Sequence, residues 1–282
     1  MIISELKDYF KKEISELYTD SESNELFSIF SEKILGLNKI ELRNSIHKEL
    51  DINQQSEFYN KILQLKLGKP FQQILGETEF YGLKFFVDEH VLIPRPETEE
   101  LLEFSIQKVQ SSGFKVQGLK ILDIGTGSGI IPIVLKKHFP EAEISAIDYS
   151  EKALETAKRN AKFHQTEITF IHADYLNYNL NDKYDIIISN PPYIGIDEEN
   201  DIADSVKEFE PKMALFSPTS DALIFYRKIA KDAHKNLAEN GMVFLEINQK
   251  LGIETLKLFS EFSESVRIKD ISGNDRIVFA KL

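Results

Sequence analysis

Cysteine is absent from the chain, and so are long runs of apolar residues. Without cysteine, the protein can form neither disulfides nor thiolate metal sites. No window reaches the roughly 18 consecutive apolar residues that a membrane-spanning helix needs. The N-terminal residues 1–18 are charged throughout and lack the apolar core of a signal peptide. These absences predict a cytoplasmic protein that does not contact a membrane.

Positive charge is outnumbered by negative charge. Lysine and arginine number 34 against 46 aspartates and glutamates, which gives a net charge of −12. A broad grip on nucleic acid needs clustered basic residues, so we expect no direct binding to DNA. The six histidines show no spacing typical of metal ligands, and we predict no bound metal. A chain of 282 residues has room for one large domain or two modest ones.

Residues 1–75 have the pattern of a small helical bundle. Apolar residues recur there at helical spacing, and β-branched alternation is rare. Thr19 and Glu22 have the spacing of a capping box that begins one helix. A short helix is predicted over 39–50, and Asp51 is placed to cap the next one. Bundles of this kind more often bind or position than catalyse, so we predict a substrate-binding domain.

A β-hairpin connector is predicted for residues 76–93, because aromatic and apolar residues flank Tyr81 and Gly82. Thr98 lies just beyond a proline-stiffened turn and is placed to cap the helix that follows. Residues 94–282 form the third predicted domain.

Strands and helices alternate from residue 119 onward. Strands are predicted at 119–124, 143–148, 168–172, 184–189, 241–247, 266–270 and 276–281, and helices at 130–139, 151–164 and 221–239. This alternation indicates a doubly wound α/β sheet, a Rossmann-like fold. The connection at 271–275 is too short for a helical crossover, so we expect the last two strands to be antiparallel.

A glycine-rich loop directly follows the first of these strands, in the segment LDIGTGSGI. Gly125, Gly127 and Gly129 let the backbone adopt positive φ and approach a ligand closely. The third glycine of the dinucleotide fingerprint would fall on Ile130 or Pro132, so that fingerprint fails in both registers. The chain also contains no P-loop motif. The loop therefore indicates a nucleotide-like ligand other than a dinucleotide or a nucleoside triphosphate.

Three acids stand at the ends of successive strands around this loop: Asp123, Asp148 and Asp174. Asp148 ends the second strand, where a carboxylate can accept both ribose hydroxyls. Asp174, followed by Tyr175, could hold an adenine amino group and the face of its ring. Acids disfavour a pyrophosphate and favour a nucleoside with positive charge, such as S-adenosylmethionine. The alternative is that each aspartate only caps the following helix.

The fourth strand ends in an unusual corner, Asn190-Pro191-Pro192-Tyr193. Neither proline can donate a backbone N–H, and each fixes its own φ. The Asn190 side-chain oxygen and the Pro191 carbonyl can accept the two N–H bonds of a planar nitrogen, while Tyr193 stacks on the substrate. Catalytic roles are therefore predicted for Asn190, Pro191 and Tyr193. The alternative is a rigid turn that only packs Tyr193 in the core.

The glycine loop and this corner together resemble class I S-adenosylmethionine-dependent methyltransferases that modify planar nitrogens. Three further segments narrow the resemblance: VLIPRPETE at 91–99, EP..AL at 210–215 and DISGNDRIVFA at 270–280. With the helical bundle, they are similar to the bacterial release factor glutamine methyltransferases, the PrmC/HemK family. The resemblance covers essentially the whole chain.

The resemblance implies a reaction and a set of site residues. A methyl group would pass from S-adenosylmethionine to the glutamine of the Gly-Gly-Gln motif in class 1 peptide chain release factors, leaving S-adenosylhomocysteine. It implies that residues 94–282 are the methyltransferase domain. The residues implied to contact the cofactor are Gly125, Thr126, Gly127, Ser128, Gly129, Asp148, Tyr175 and Asn190, to which Asp174 is added from its position. Those implied for the substrate are Asn190, Pro191, Pro192, Tyr193 and, less directly, Arg95.

Two other functions share part of this pattern. A DNA adenine-N6 methyltransferase has the same corner, but it needs a basic face and usually a target-reading domain. A protein that only binds a nucleoside would be indicated by loss of Asn190 or Asp148, and both residues are present.

Overall fold

A computed structural model describes residues 1–114, 117–195 and 204–282. The chain divides into two compact units, Met1–Gly76 and Glu77–Leu282. The structural boundary lies one residue beyond the end of the predicted helical part. The segment predicted as a separate connector is grouped with the second unit.

The first unit consists of helices. These are α1 (Ile3–Ile14), α2 (Asp20–Leu35), α3 (Lys39–Asn44), α4 (Ile52–Lys66) and α5 (Phe71–Leu75). The predicted caps are present: Thr19 and Glu22 form a capping box at α2, and Asp51 accepts from the backbone of α4. Packed aromatic rings form the core, with Phe27 stacked on Phe58 at a centroid distance of 5.5 Å.

Helix α3 is shorter than predicted. It ends at Asn44, whereas the sequence favoured a helix to residue 50. The reason is that the chain beyond it pairs with the N-terminus: Ile3 N donates to Lys48 O (3.1 Å) and Leu50 N donates to Met1 O (3.1 Å). Tertiary backbone pairing has overridden local helical propensity there.

The second unit is built on a seven-stranded sheet, and the doubly wound arrangement predicted from the sequence is confirmed. The order is β5-β4-β3-β6-β7-β9-β8. The strands are β3 (Lys120–Ile124), β4 (Glu143–Asp148), β5 (Thr169–His172), β6 (Tyr184–Ser189), β7 (Leu237–Glu246), β8 (Glu264–Lys269) and β9 (Asp275–Lys281). The first five strands are parallel to one another. The last two, β8 and β9, are antiparallel to each other, as expected. The strands β3 and β6 are neighbours, so the glycine loop and the corner leave the sheet side by side.

Helices cover both faces of this sheet. They are α6 (Pro96–Ser111), α7 (Ile130–His138), α8 (Glu151–His164), α9 (Asp204–Phe209), α10 (Lys212–Leu215), α11 (Ile224–Asn236) and α12 (Gly252–Lys257), with a short 3₁₀ helix at Gln249–Leu251. Alternate strand residues enter separate cores. Ile186 and Ile188 pack with α6 and α7, while Ile187 packs with α11.

The hairpin of β1 (Glu77–Phe80) and β2 (Leu83–Phe86) is part of this unit. Phe80 and Phe85 lie in the same apolar core as α6 and α7. Asn160 of α8 accepts from Phe86 N (2.7 Å) and donates to Phe86 O (2.9 Å). The aromatic side chains of the hairpin are thus buried against the helices of the sheet.

No helix in the described ranges combines the length and apolar character needed to cross a membrane.

Candidate active site

The glycine loop, Gly125–Gly129, leaves β3 with a left-handed backbone. Its three glycines have φ of 75°, 54° and 81°. Gly125 N donates to Ile147 O (2.8 Å), which ties the loop to β4. A Cβ on Gly127 would meet no atom within 4 Å, whereas one on Gly129 would lie 3.1 Å from the Ala157 side chain. The loop is therefore open at Gly127 and packed tightly against α8 at Gly129.

Asp148, at the end of β4, holds this loop in place. Its Oδ2 accepts from Gly127 N (2.8 Å), and its Oδ1 accepts from Ser150 N (2.8 Å). Burial raises the pKa of Asp148, and these backbone N–H groups oppose the rise. Each oxygen keeps a second lone pair, so the carboxylate can still accept hydroxyl donors from a ligand.

Asp174 and Tyr175 follow β5. The Asp174 carboxylate accepts from Leu176 N (3.1 Å) and Asn177 Nδ2 (2.6 Å). Tyr175 is buried, and its hydroxyl donates to Asp232 of α11 (2.9 Å). Burial, followed by the nearby Asp232 charge, raises the pKa of Tyr175. The ring is thus anchored at its hydroxyl end.

Asp123 differs from the other two acids. It is fully buried, and neither of its carboxylate oxygens has a hydrogen-bond partner among the described residues. Burial, opposed by Thr126 and reinforced by the Asp148 charge, raises its pKa to about 7. The sequence grouped Asp123 with the acids that face a ligand; the structure instead places it beneath the glycine loop.

The corner, Asn190–Tyr193, follows β6 beside this loop. Ser189 Oγ donates to Ile124 O (2.6 Å), which joins the ends of β6 and β3. A Cβ on Gly125 would lie 3.9 Å from Asn190 O, so the two segments are in close proximity. Beyond the corner, Ile194 N donates to Leu215 O (3.1 Å) and Ser217 N donates to Ile194 O (2.9 Å). The corner is held on both sides.

A cavity of about 530 Å³ lies between these elements. The predicted site residues that line it are Gly125, Gly127, Asp148, Asp174, Tyr175, Asn190, Pro191 and Pro192. Its apolar wall includes side chains to which the sequence analysis assigned no role, among them Val91, Met213, Phe216 and Phe225. A volume in the range of small-molecule sites, apolar walls and a few carboxylates suit a cationic nucleoside. The residues present therefore fit S-adenosylmethionine.

Five predicted residues lie outside the lining of this cavity: Thr126, Ser128, Gly129, Tyr193 and Arg95. Thr126 and Ser128 are buried. Contact of these two residues with a ligand stays a prediction. Within the ranges that the structure describes, no cluster of three or more histidine, aspartate or glutamate side chains could hold a metal ion.

Comparison with known proteins identifies the family. The family model "Methyltransferase small domain" matches residues 104–208. The release factor glutamine methyltransferase of Flavobacterium psychrophilum is 45% identical over 282 residues, which cover 99% of this chain and 98% of that protein. Those of Streptococcus pneumoniae and Bacteroides thetaiotaomicron are 36% and 35% identical over at least 96% of this chain and 97% of each relative. This chain belongs to the release factor glutamine methyltransferase family. The resemblance seen in its motifs is confirmed.

Two of the motifs that indicated this family are joined to each other. Glu210 is buried; its Oε1 accepts from Arg95 Nη2 (2.5 Å), and its Oε2 accepts from Ile93 N (3.0 Å). Arg95 was predicted to bind substrate, and the structure engages it with Glu210 instead of placing it in the cavity wall. The segment before α6 is thereby fastened to α10.

Thr98 and Glu246 form a contact that sequence reasoning missed. Thr98 does not cap α6, because the helix already begins at Pro96, whose fixed φ suits a first helical position. Its hydroxyl donates to Glu246 Oε2 (2.7 Å) and accepts from Asn190 Nδ2 (3.1 Å). Tyr193 also donates to this carboxylate, at Oε1 (3.2 Å). The glutamate is 148 residues from Thr98 in sequence, so no local pattern could reveal the pair.

Proposed function

We propose that this protein transfers a methyl group from S-adenosylmethionine to the side-chain amide nitrogen of the glutamine in the Gly-Gly-Gln motif of class 1 release factors. Family membership supports the reaction. The observation that carries the proposal is the position of Asn190: it lines the cavity next to Gly125 and stands at the end of β6, beside the glycine loop.

The cofactor would lie on the loop side of the cavity. When bound, it supplies an electrophilic methyl group on a positively charged sulfur. Asp148, at the end of β4, would accept hydrogen bonds from the ribose hydroxyls, and Asp174 would accept one from the adenine amino group. The negative charge of the two carboxylates also suits a cationic ligand. Gly125 and Gly127 allow close approach of the ligand because they carry no side chain.

Asn190 and Pro191 would act on the substrate. The Asn190 side-chain oxygen and the Pro191 carbonyl accept the two N–H bonds of the glutamine amide, which turns its lone pair toward the cofactor side. An amide nitrogen is a poor nucleophile, so orientation matters: alignment can lower a barrier by roughly 7–11 kcal/mol in good cases. Two acceptors on the N–H bonds also stabilise positive charge that develops on nitrogen.

Tyr193 was expected to stack on the substrate. Its hydroxyl is bound to Glu246, and its ring packs against the core on the α11 side of the sheet. We propose that it supports the corner from the core side. Burial, followed by the Glu246 charge, raises the pKa of Tyr193, so its hydroxyl stays protonated and acts as a donor.

The helical unit would bind the body of the release factor. Its surface exposes large apolar side chains, including Ile40 at 72%, Ile52 at 76% and Leu63 at 63%. These apolar side chains are available for contact with a protein partner. Since release factors act in translation, we place the protein in the cytoplasm.

The test is transfer of labelled methyl groups. Wild-type protein is incubated with labelled S-adenosylmethionine and a class 1 release factor, or with the same factor carrying Gln→Ala in its Gly-Gly-Gln motif. Label should appear on the first only. Asn190→Ala should lose most turnover while keeping cofactor affinity, because it removes an acceptor for the substrate. Label on duplex DNA in place of the release factor would instead favour an adenine methyltransferase.

A further inference from the structure

The Asn190 carboxamide has two ends, and only one of them can accept a hydrogen bond from the substrate. Its side chain is partly buried and lines the cavity. An asparagine can rotate its amide by half a turn with little change in shape, exchanging a donor for an acceptor. If the NH₂ end faced the glutamine NH₂, two donors would meet and the glutamine nitrogen would not be oriented for transfer. Something must set the orientation of this amide.

Thr98 contacts the inner end of the Asn190 amide. Thr98 Oγ1 is 3.1 Å from Asn190 and 2.7 Å from Glu246 Oε2. Thr98 and Glu246 are each 1% exposed, so water does not compete for these groups. A threonine hydroxyl carries one proton and can donate it in only one direction.

Glu246 decides that direction. Each of its carboxylate oxygens receives a hydroxyl donor, Thr98 at Oε2 and Tyr193 at Oε1. In its ionised form the carboxylate can only accept, so both hydroxyls donate their protons to it. Burial, reinforced by the charge of Glu97, raises the pKa of Glu246, while the two hydroxyl donors and the positive charge of Arg276 oppose that rise and favour the carboxylate.

The direction of the Thr98–Glu246 hydrogen bond fixes the direction of the Thr98–Asn190 hydrogen bond. Because the Thr98 proton goes to Glu246, the Thr98 oxygen can only accept from Asn190. The asparagine must therefore present its NH₂ group to Thr98, and its Oδ1 turns the other way. Among the described residues, no donor is bound to that oxygen.

We infer that Thr98 and Glu246 are positioning residues that fix the Asn190 amide with its oxygen toward the substrate nitrogen. This inference rests on the proposed function and adds a basis for its substrate specificity: the site binds a planar group whose N–H groups donate hydrogen bonds. Thr98 is not among the residues that line the cavity, so it would act through Asn190.

Thr98→Val tests the inference, because valine keeps the shape and removes the hydroxyl. We expect kcat on the Gly-Gly-Gln release factor to fall about 10- to 100-fold, as for a small misplacement of a reacting group. KM for the release factor and affinity for S-adenosylmethionine should change little. Thr98→Ser keeps the hydroxyl and should restore kcat to within a few-fold of wild type. Ser105→Ala removes another buried hydroxyl from the same helix, one bound to Leu102 O, and should leave kcat unchanged.

Wild-type kcat in Thr98→Val would overturn the inference, and so would equal losses in the valine and serine variants, since packing alone would then be at fault. Neutron diffraction from deuterated wild-type crystals decides the matter even if the valine variant does not fold. The Thr98 deuterium should point to Glu246, and two deuteriums should lie on the Asn190 atom that faces Thr98. A Thr98 deuterium pointing to Asn190 would contradict the inference. Absence of transfer by the wild type would contradict the proposed function and leave the neutron result to judge the orientation.

Discussion

At the scale of single residues, Asp123 shows how position in the fold changes the chemistry of a side chain. In sequence it looks equivalent to Asp148 and Asp174, since all three end strands beside the same loop. Asp148 receives two backbone N–H donors, whereas Asp123 has no hydrogen-bond partner among the described residues. Asp148 can therefore present a carboxylate to a ligand, whereas burial disfavours the ionised form of Asp123.

Asp123→Asn should therefore change how stability depends on pH. Burial raises the pKa of Asp123 from 3.8 to about 7, so the folded state keeps this proton to higher pH than the unfolded state. Its contribution to stability is complete below about pH 4 and is lost as pH rises to 7. Asparagine does not titrate. Relative to wild type, the variant should gain on the order of 3 kcal/mol of unfolding free energy between pH 5 and pH 8.

Urea unfolding of both proteins at the two pH values measures this difference. The comparison within each pH removes the effect of all other titrating groups. An equal gap between variant and wild type at pH 5 and pH 8 would show that Asp123 ionises normally in the folded protein.

Sequence reasoning pointed to residues of the cavity where the signal is local. Asp148 and the first three residues of the corner line the cavity, and strand ends and proline pairs can be read along the chain. Thr98 was assigned a capping role from its neighbours in sequence, since its actual partner, Glu246, lies 148 residues away and could not be seen from them. Only the fold brings β7 beside β6 and thereby the glutamate to the corner.

At the scale of secondary-structure elements, Glu210 joins two segments that line the cavity. It accepts from Ile93 N and Arg95, which precede α6, and it directly precedes α10. Residues of α10 and the turn after it contribute Lys212, Met213, Ala214, Phe216 and Ser217 to the cavity wall. A single buried carboxylate thus holds both walls together.

Glu210→Ala should loosen both segments. Leaving the buried Ile93 N–H without an acceptor costs about 1–3 kcal/mol. We expect faster amide hydrogen exchange at 91–95 and 211–217 and weaker binding of S-adenosylmethionine. Glu208→Ala, an exposed glutamate two residues earlier, is the matched control and should behave like wild type. Unchanged exchange in Glu210→Ala would mean that other contacts fix these segments.

Most elements were predictable, and their ends were less so. The bounds of α8 and β6 match the predicted ranges because apolar periodicity and caps agree there. Helix α3 is shorter than predicted because residues 48–50 pair with the N-terminus. Strand β7 begins at Leu237, four residues before its predicted start, because its first residues pair with Tyr184.

At the scale of the whole molecule, the fold brings together residues that are distant in sequence. All the predicted site residues lie in the second unit, and none lies in the helical unit. The order of strands places the glycine loop and the corner next to each other, which follows from the alternation of strands and helices. The bond from Thr98 to Glu246 and the bond from Arg95 to Glu210 could not be predicted, because each joins segments more than 100 residues apart.

The most direct measurement is a crystal structure with S-adenosylhomocysteine and a peptide that contains Gly-Gly-Gln. The glutamine amide nitrogen should lie about 3 Å from both the Asn190 side-chain oxygen and the Pro191 carbonyl, with its lone pair directed at the sulfur. A peptide bound elsewhere, or a corner that points away from the sulfur, would contradict the proposed geometry.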